Sequence, residues 1–167
     1  MSRSHPTLIF GSGNTGLAVA EFNTPGAVGH LADTLWGLGI RRLDVSSRHP
    51  PGSDYLAETL YGQAGVVARG FAVDFKSHVV ALDPRGSMAR DAVRGSVEGS
   101  CRRLGLERGN VFWCYAPDAA TPLEEQAAAV DEQFRKGAFE QVCLSPTPLF
   151  LFSSYISPRV TNRESHG

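Results

Sequence analysis

Gly70-Phe71-Ala72-Val73-Asp74-Phe75-Lys76 is a short apolar run opened by glycine and closed by lysine, and its reading decides the fold. It is too short and too β-branched or aromatic for a helix, so Gly70–Phe75 reads as a strand that ends on Lys76. Three other runs share this design. Ile40–Leu43 ends on Asp44, Asn110–Cys114 ends on Tyr115, and Phe139–Leu144 ends on Ser145. A helical pattern separates each pair. In a parallel β/α array the carboxyl ends of all strands lie on one face, where chemistry collects. A carboxylate, an amine and a phenol delivered to that face point to an acid/base site.

Working outward, Thr7–Phe10 reads as the first strand, and a long loop runs from it to Asn23. Thr24 caps a helix with Pro25 at its first position and an apolar stripe of Val28, Leu31, Leu35 and Leu38. Gly39 ends it. Pro50-Pro51 forbids regular structure in the loop Val45–Gly52, and Ser53 or Asp54 caps a second helix that runs to about Gln63. Ser87 caps a third, with Met88, Ala92, Val93, Val97, Cys101 and Leu104 as its core face and Gly105 just past its end. Thr121-Pro122-Leu123-Glu124 opens a fourth as cap, N1 proline and capping box. Strand–helix alternation predicts a parallel sheet with crossover helices. The fold class is α/β: a parallel β/α repeat of about five strands over residues 1–145, a partial (half) TIM barrel where a whole one needs eight. Residues 146–167 read as an irregular C-terminal tail. The sheet's first and fifth strands are then open edges and its inner face apolar and uncovered, which predicts a homodimer or a folded-back Leu149–Phe152 run.

The chain has 167 residues, with 16 basic and 17 acidic side chains. That length suits one domain, and that balance favours neither nucleic acid nor an anionic membrane as a partner. Arg41-Arg42 and Arg102-Arg103 are too short to be basic tracts and read as solvated ends of elements. Cys101, Cys114 and Cys143 show no CxxC or metal-ligand spacing, so no metal site is expected and buried free thiols in a cytoplasmic protein are. No apolar run reaches the ~18 residues of a membrane span, and the first five residues lack a signal peptide's apolar core. His30 and His78 read as surface, Trp36 and Trp113 as core.

Gly11-Ser12-Gly13-Asn14-Thr15-Gly16 matches GxGxxG after a strand. A dinucleotide fingerprint requires the helix to start within the glycines, so that its amino terminus meets the pyrophosphate. Here the cap and Pro25 start the helix well beyond them. Asp44 lies 28 positions past Gly16, against about 20 after the fingerprint. The segment reads as a loop over a strand end, and Gly11 and Ser145 are the only positions suggested for cofactor contact.

At these residues the chain resembles the first half of an aldo-keto reductase, of the aflatoxin-aldehyde-reductase type found in fungi. The resemblance rests on Pro6-Thr7-Leu8-Ile9-Phe10-Gly11, Gly39–Asp44, Gly70–Lys76, Ala116–Glu125 and Phe134-Arg135-Lys136-Gly137. It covers about Pro6–Ser145, and the order and spacing of these stretches carry it. The family is an eight-stranded barrel that reduces carbonyls with NADPH through Asp, Tyr, Lys and His. The resemblance places Asp44 and Lys76 on the family's Asp and Lys. Where the family has Tyr this chain has His49, and where it has His this chain has Tyr115. Pro146 stands where the family has an Asn that helps hold the nicotinamide amide.

Asp44, Lys76, Tyr115 and His49 are therefore the candidate catalytic residues. A partly buried Lys76 needs a carboxylate partner, and Asp44 is the one available. His49, with a reference pKa near 6.5, suits a general base, and a phenol at Tyr115 beside Lys76 could donate a proton. Asp118 reads as part of the turn opening the fourth helix. The family anchors NADPH in the half of the barrel that the regular elements here do not include, and each charge-assisted bond to phosphate is worth roughly 1.5–3 kcal/mol. The expectation is non-redox acid/base chemistry on a small carbonyl compound, an isomerisation, dehydration or cyclisation in fungal polyketide-type metabolism, with no cofactor required. The alternatives are an NADPH-dependent reductase, its tail from Pro146 a gene-model artefact or its barrel completed by a second copy, and an inactive binding partner.

Overall fold

The computed structural model describes residues 6–18, 21–80, 83–116 and 118–144. It contains β1 (Ile9–Gly11), α1 (Pro25–Gly37), β2 (Arg42–Asp44), α2 (Leu56–Gln63), β3 (Ala72–Lys76), α3 (Arg90–Leu104), β4 (Gly109–Cys114), α4 (Leu123–Arg135) and β5 (Phe139–Leu144). The strands form one parallel sheet in the order β1-β2-β3-β4-β5. Right-handed crossovers between sequential neighbours put every helix on the same face, and each helix packs against the next. This sequential order removes the dinucleotide-fold reading, which needs a reversal of strand order. Ser145 and the expected tail lie outside the described residues.

Alternation along the strands separates two faces. Leu43, Val73 and Phe75 are buried in the core with Val28, Leu31 and Leu35 of α1 and Val93, Val97 and Leu104 of α3. Between them in sequence stand Arg42, Asp44, Asp74 and Lys76, on the opposite face. Asp74 is fully buried; Arg42 donates from Nε to its Oδ1 at 3.0 Å and Oδ2 at 2.9 Å, and Asn110 donates to Oδ1 at 2.6 Å. The inner face expected to be apolar is instead charged and internally paired on β2 and β3. On the sheet, exposed apolar groups lie at the edges, Leu8 just before β1, Ile9 within it, and Val142 and Leu144 on β5.

The first helix begins as its sequence dictates: the Thr24 hydroxyl accepts from the Ala27 N–H at 3.2 Å and Pro25 is the first helical residue. The other helix starts do not. Tyr55, in a left-handed conformation at φ 69°, precedes α2, and neither Ser53 nor Asp54 caps it. Asp118 takes the roles expected of Ser87 and Thr121. Its carboxylate accepts from Gly86 N–H and Met88 N–H in the turn before α3, and from Ala120 N–H and the Thr121 hydroxyl before α4. α3 therefore starts at Arg90, after a turn that Asp118 holds. Burial alone would raise the Asp118 pKa, but its bonds from Thr121, Met88, Gly86 and Ala120 outweigh it and hold the carboxyl below the usual range. Trp36, expected in the core, is 40% exposed, edge-on to Phe71 with the Arg41 guanidinium over its ring.

The buried face of α3 is also more polar than expected, because Glu58 of α2 is fully buried against it. Its carboxylate accepts from Ser100 at 2.7 Å and from Arg103 at 2.6 Å. That latch brings the helices so close that a Cβ on Gly62 of α2 would lie 1.8 Å from the Arg103 carbonyl oxygen. Gly62→Ala in an open helix would add up to about 1 kcal/mol of stability. Here backbone must move, and urea unfolding should show a net loss of about 1–3 kcal/mol; a raised midpoint would contradict the packing.

Candidate active site

Two strand ends build the centre of the site. Asp44 is the last residue of β2 and Lys76 the last of β3, and the parallel register of the two strands sets Arg42 beside Ala72 and Asp44 beside Asp74. Lys76 thus projects one side-chain repeat beyond Asp44 on the same face. Its ammonium forms an ion pair with Asp44 Oδ1. Both side chains are partly buried, 14% and 30% exposed, so the pair is screened less than one in open water. The same ammonium lies 5.2 Å from the centre of the Trp113 ring, the neighbour of Lys76 on β4.

His49 comes from the loop after β2 and is held at this pair. Its Nδ1 is 3.0 Å from the hydroxyl of Ser12, which is almost fully buried and whose N–H donates to the Asp44 carbonyl at 2.9 Å. Burial lowers the pKa of His49 first and the positive charge of Lys76 lowers it further, while Asp44 pulls the other way. The imidazole is therefore neutral at neutral pH, as a proton acceptor must be. Tyr115 follows the end of β4, and its backbone N–H donates to the Ser77 hydroxyl at 2.8 Å. Among the described residues its phenol makes no hydrogen bond to Lys76, Asp44 or His49. The structure thus gathers Asp44, Lys76 and His49 and brings Tyr115 to the same rim by its backbone alone.

Two features of this rim escaped the sequence reading. Ser12 orients His49, and the signal for it was its place just after a strand end in the glycine-rich loop. His78, expected at the surface, is half-buried. The Ser47 hydroxyl meets its Nδ1 at 3.0 Å, the Tyr55 phenol meets its Nε2 at 3.1 Å, and the Tyr55 ring stacks on it with centroids 4.8 Å apart. Its pKa is lowered, chiefly by burial, with Asp54 opposing and Arg48 and Arg103 adding to it.

Gly11 is exposed at the end of β1. Basic side chains near the rim already have carboxylate partners: Lys76 with Asp44, Arg48 with Asp54 and Arg85 with Asp83. To meet the phosphates of a nicotinamide dinucleotide, these cations would have to leave their carboxylates. Cys101, Cys114 and Cys143 are free; burial, then neighbouring Cys143, pushes the Cys114 thiol up to about 12, so it is inert. Among the described residues no group of three or more His, Cys, Asp or Glu is placed to hold a metal, and no helix is long and apolar enough to cross a membrane.

Substituting Lys76 by Met should raise the His49 pKa, because it removes a lowering charge and leaves Asp44 unopposed. An NMR titration of the imidazole should find a midpoint below the ordinary 6.5 in the native chain and a higher one in the variant. Identical midpoints would separate His49 from the pair.

Comparison with known proteins gives the family and the fold. The model of the aldo/keto reductase family matches residues 7–150. Aflatoxin B1 aldehyde reductase member 2 of Homo sapiens is 33% identical over 94 residues, covering 56% of this chain and 26% of that protein. An aldo-keto reductase of Pseudocercospora fijiensis is 28% identical over 114 residues, covering 66% and 37%. The chain thus spans well under half the length of these curated relatives. Among solved structures, a thermostable aldo-keto reductase in complex with the inhibitor epalrestat superposes with a TM-score of 0.67 at 21% identity, covering 86% of this chain and 50% of that one. That likeness is one of fold, a partial TIM barrel.

Proposed function

Since the chain belongs to the aldo/keto reductase family, we propose that its strand-end site acts on a small carbonyl compound by proton transfer rather than by hydride transfer. The observation that carries this reading is the Asp44–Lys76 pair with a neutral, Ser12-held imidazole beside it. With Nδ1–H donated to the Ser12 hydroxyl, His49 keeps its Nε2 lone pair for a proton alpha to the carbonyl. As that proton leaves, charge moves to the carbonyl oxygen, where an N–H of Lys76 not given to Asp44 stabilises it. In a substrate with a carbon–carbon double bond next to the alpha carbon, the imidazolium then returns the proton to the gamma carbon of the dienolate, so the double bond moves into conjugation with nothing oxidised or reduced. Tyr115, on the same rim, is the second acid for the oxygen. Polyketide-type carbonyl compounds carry the acidic alpha protons such a site needs.

A reductase reading is favoured by the family itself, whose members transfer hydride from NADPH. The cofactor would have to be bound by groups other than those described, and no step here is routed through it.

The two readings part on one assay. Deuterium wash-in alpha to the carbonyl of small ketones, followed by NMR without nicotinamide, should be catalysed by the native chain. It should fall by about 100-fold or more in Lys76→Met, and by a similar factor in His49→Asn. Micromolar NADPH binding in a fluorescence titration, with no wash-in, would transfer the site to hydride chemistry.

We also propose that two copies pair through the open edges β1 and β5, where unpaired backbone and the exposed Leu8, Ile9, Val142 and Leu144 lie. Size-exclusion chromatography with light scattering should give twice the mass of the 17.9 kDa chain; a compact monomer would reject the pairing.

A further inference from the structure

Trp113, expected in the core, lies instead on the inner face of the sheet beside the proton-transfer centre. It is the register partner of Lys76 on β3 and of Cys143 on β5, and side chains so paired across parallel strands share a face. The inner face therefore carries one row of three groups, an ammonium, an indole and a thiol, about 4.8 Å apart from strand to strand. Trp113 and Cys143 are both partly exposed, so the row is open. The Trp113 Nε1 is buried and has no hydrogen-bond partner among the described residues. What the indole presents at the surface is thus carbon, which suits stacking and not hydrogen bonding.

Strand order fixes where this ring stands relative to the chemistry. β3 lies between β2 and β4, so Lys76 has Asp44 and the Ser12-held His49 on one side and Trp113 on the other. A ketone has two substituents. With its oxygen accepting from Lys76 and its ionising carbon turned to His49, the second substituent points toward β4. There it meets the indole, whose ring centre is 5.2 Å from the same ammonium. That cation–π contact also restrains the ring.

We propose, on the proton-transfer reading above, that Trp113 is a stacking platform: it selects ketones whose second substituent is flat, an aryl or conjugated group, over ketones whose second substituent is saturated. A flat group lies along the exposed carbon of the indole, whereas a puckered ring of the same size touches only part of it. Cys143, the next and smaller member of the row, leaves room for the flat group to extend past the indole.

Two methyl ketones of equal carbon count, acetophenone and cyclohexyl methyl ketone, test this. Deuterium wash-in at the methyl group is followed by NMR and divided by the uncatalysed rate in the same buffer. The native chain should favour acetophenone by about tenfold, the upper range for one aromatic pair. Trp113→Leu should abolish the preference while keeping wash-in to the cyclohexyl ketone, and Trp113→Phe should retain it. Benzamide and cyclohexanecarboxamide keep the carbonyl but need no exchange to be seen; they are titrated into the ¹⁵N-labelled full chain with the Cys143 amide shift as the readout. Benzamide should bind about tenfold more tightly in the native chain and lose that advantage in Trp113→Leu. The proposal is overturned if the native chain treats both ketones alike, if the preference survives Trp113→Leu or disappears in Trp113→Phe, or if Trp113→Leu lowers both rates equally. Should the native chain catalyse neither wash-in, the proton-transfer reading falls and the amides decide alone: a Trp113-dependent preference for benzamide upholds the platform, and equal affinities overturn it.

Discussion

A carboxylate at the end of one strand and an ammonium at the end of the next can meet only if the two strands run parallel and in one register. The pairing of β2 with β3 meets both conditions, and everything proposed for the rim depends on it. A slip of one residue would turn Lys76 into the helix layer and leave its charge without a partner, a cost of several kcal/mol. The ion pair is therefore also a lock on register, backed one layer below by Arg42 and Asp74 across the same two strands. Chemistry and strand alignment draw on the same side chains.

This coupling explains why the Asp44–Lys76 pairing was legible in the sequence. Strand ends in a β/α repeat all point one way, so Asp44, Lys76 and Tyr115 could be assigned to one face from their places in the chain. The same reasoning could not find Ser12 or His78, whose roles depend on contacts 37 and 31 residues away in the chain. It also misjudged three helix starts, two of them because a cap read locally ignores a competitor from elsewhere. Asp118 reaches across from the turn before α4 and serves the turn before α3, so the Ser87 hydroxyl has no hydrogen-bond partner among the described residues.

The helix layer shows a second departure from simple patterning. An acidic residue on α2 reads as solvent-facing, yet Glu58 is fully buried, tied to Ser100 and Arg103 of α3. A buried carboxylate is tolerated only when its lone pairs are taken up; Gly62 lets the helices approach closely enough to do so, and Gly99 leaves room for the Arg103 guanidinium. The sequence reading put helices at α2 and α3 but gave no hint that charge, rather than leucine, joins them.

The concave side of the sheet has a consequence of its own. A half ring lined with greasy side chains would shed water and clump through its broad surface. Here Arg42 and Asp74 bridge the two strands at mid-sheet, with Asp44 and Lys76 above them, and such a floor is wettable. Within the sheet, exposed apolar groups among the described residues are thereby confined to the edge strands. Any association of this sheet with another should then be edge-directed and ordered, like tiles meeting along a seam, instead of face-to-face and indiscriminate.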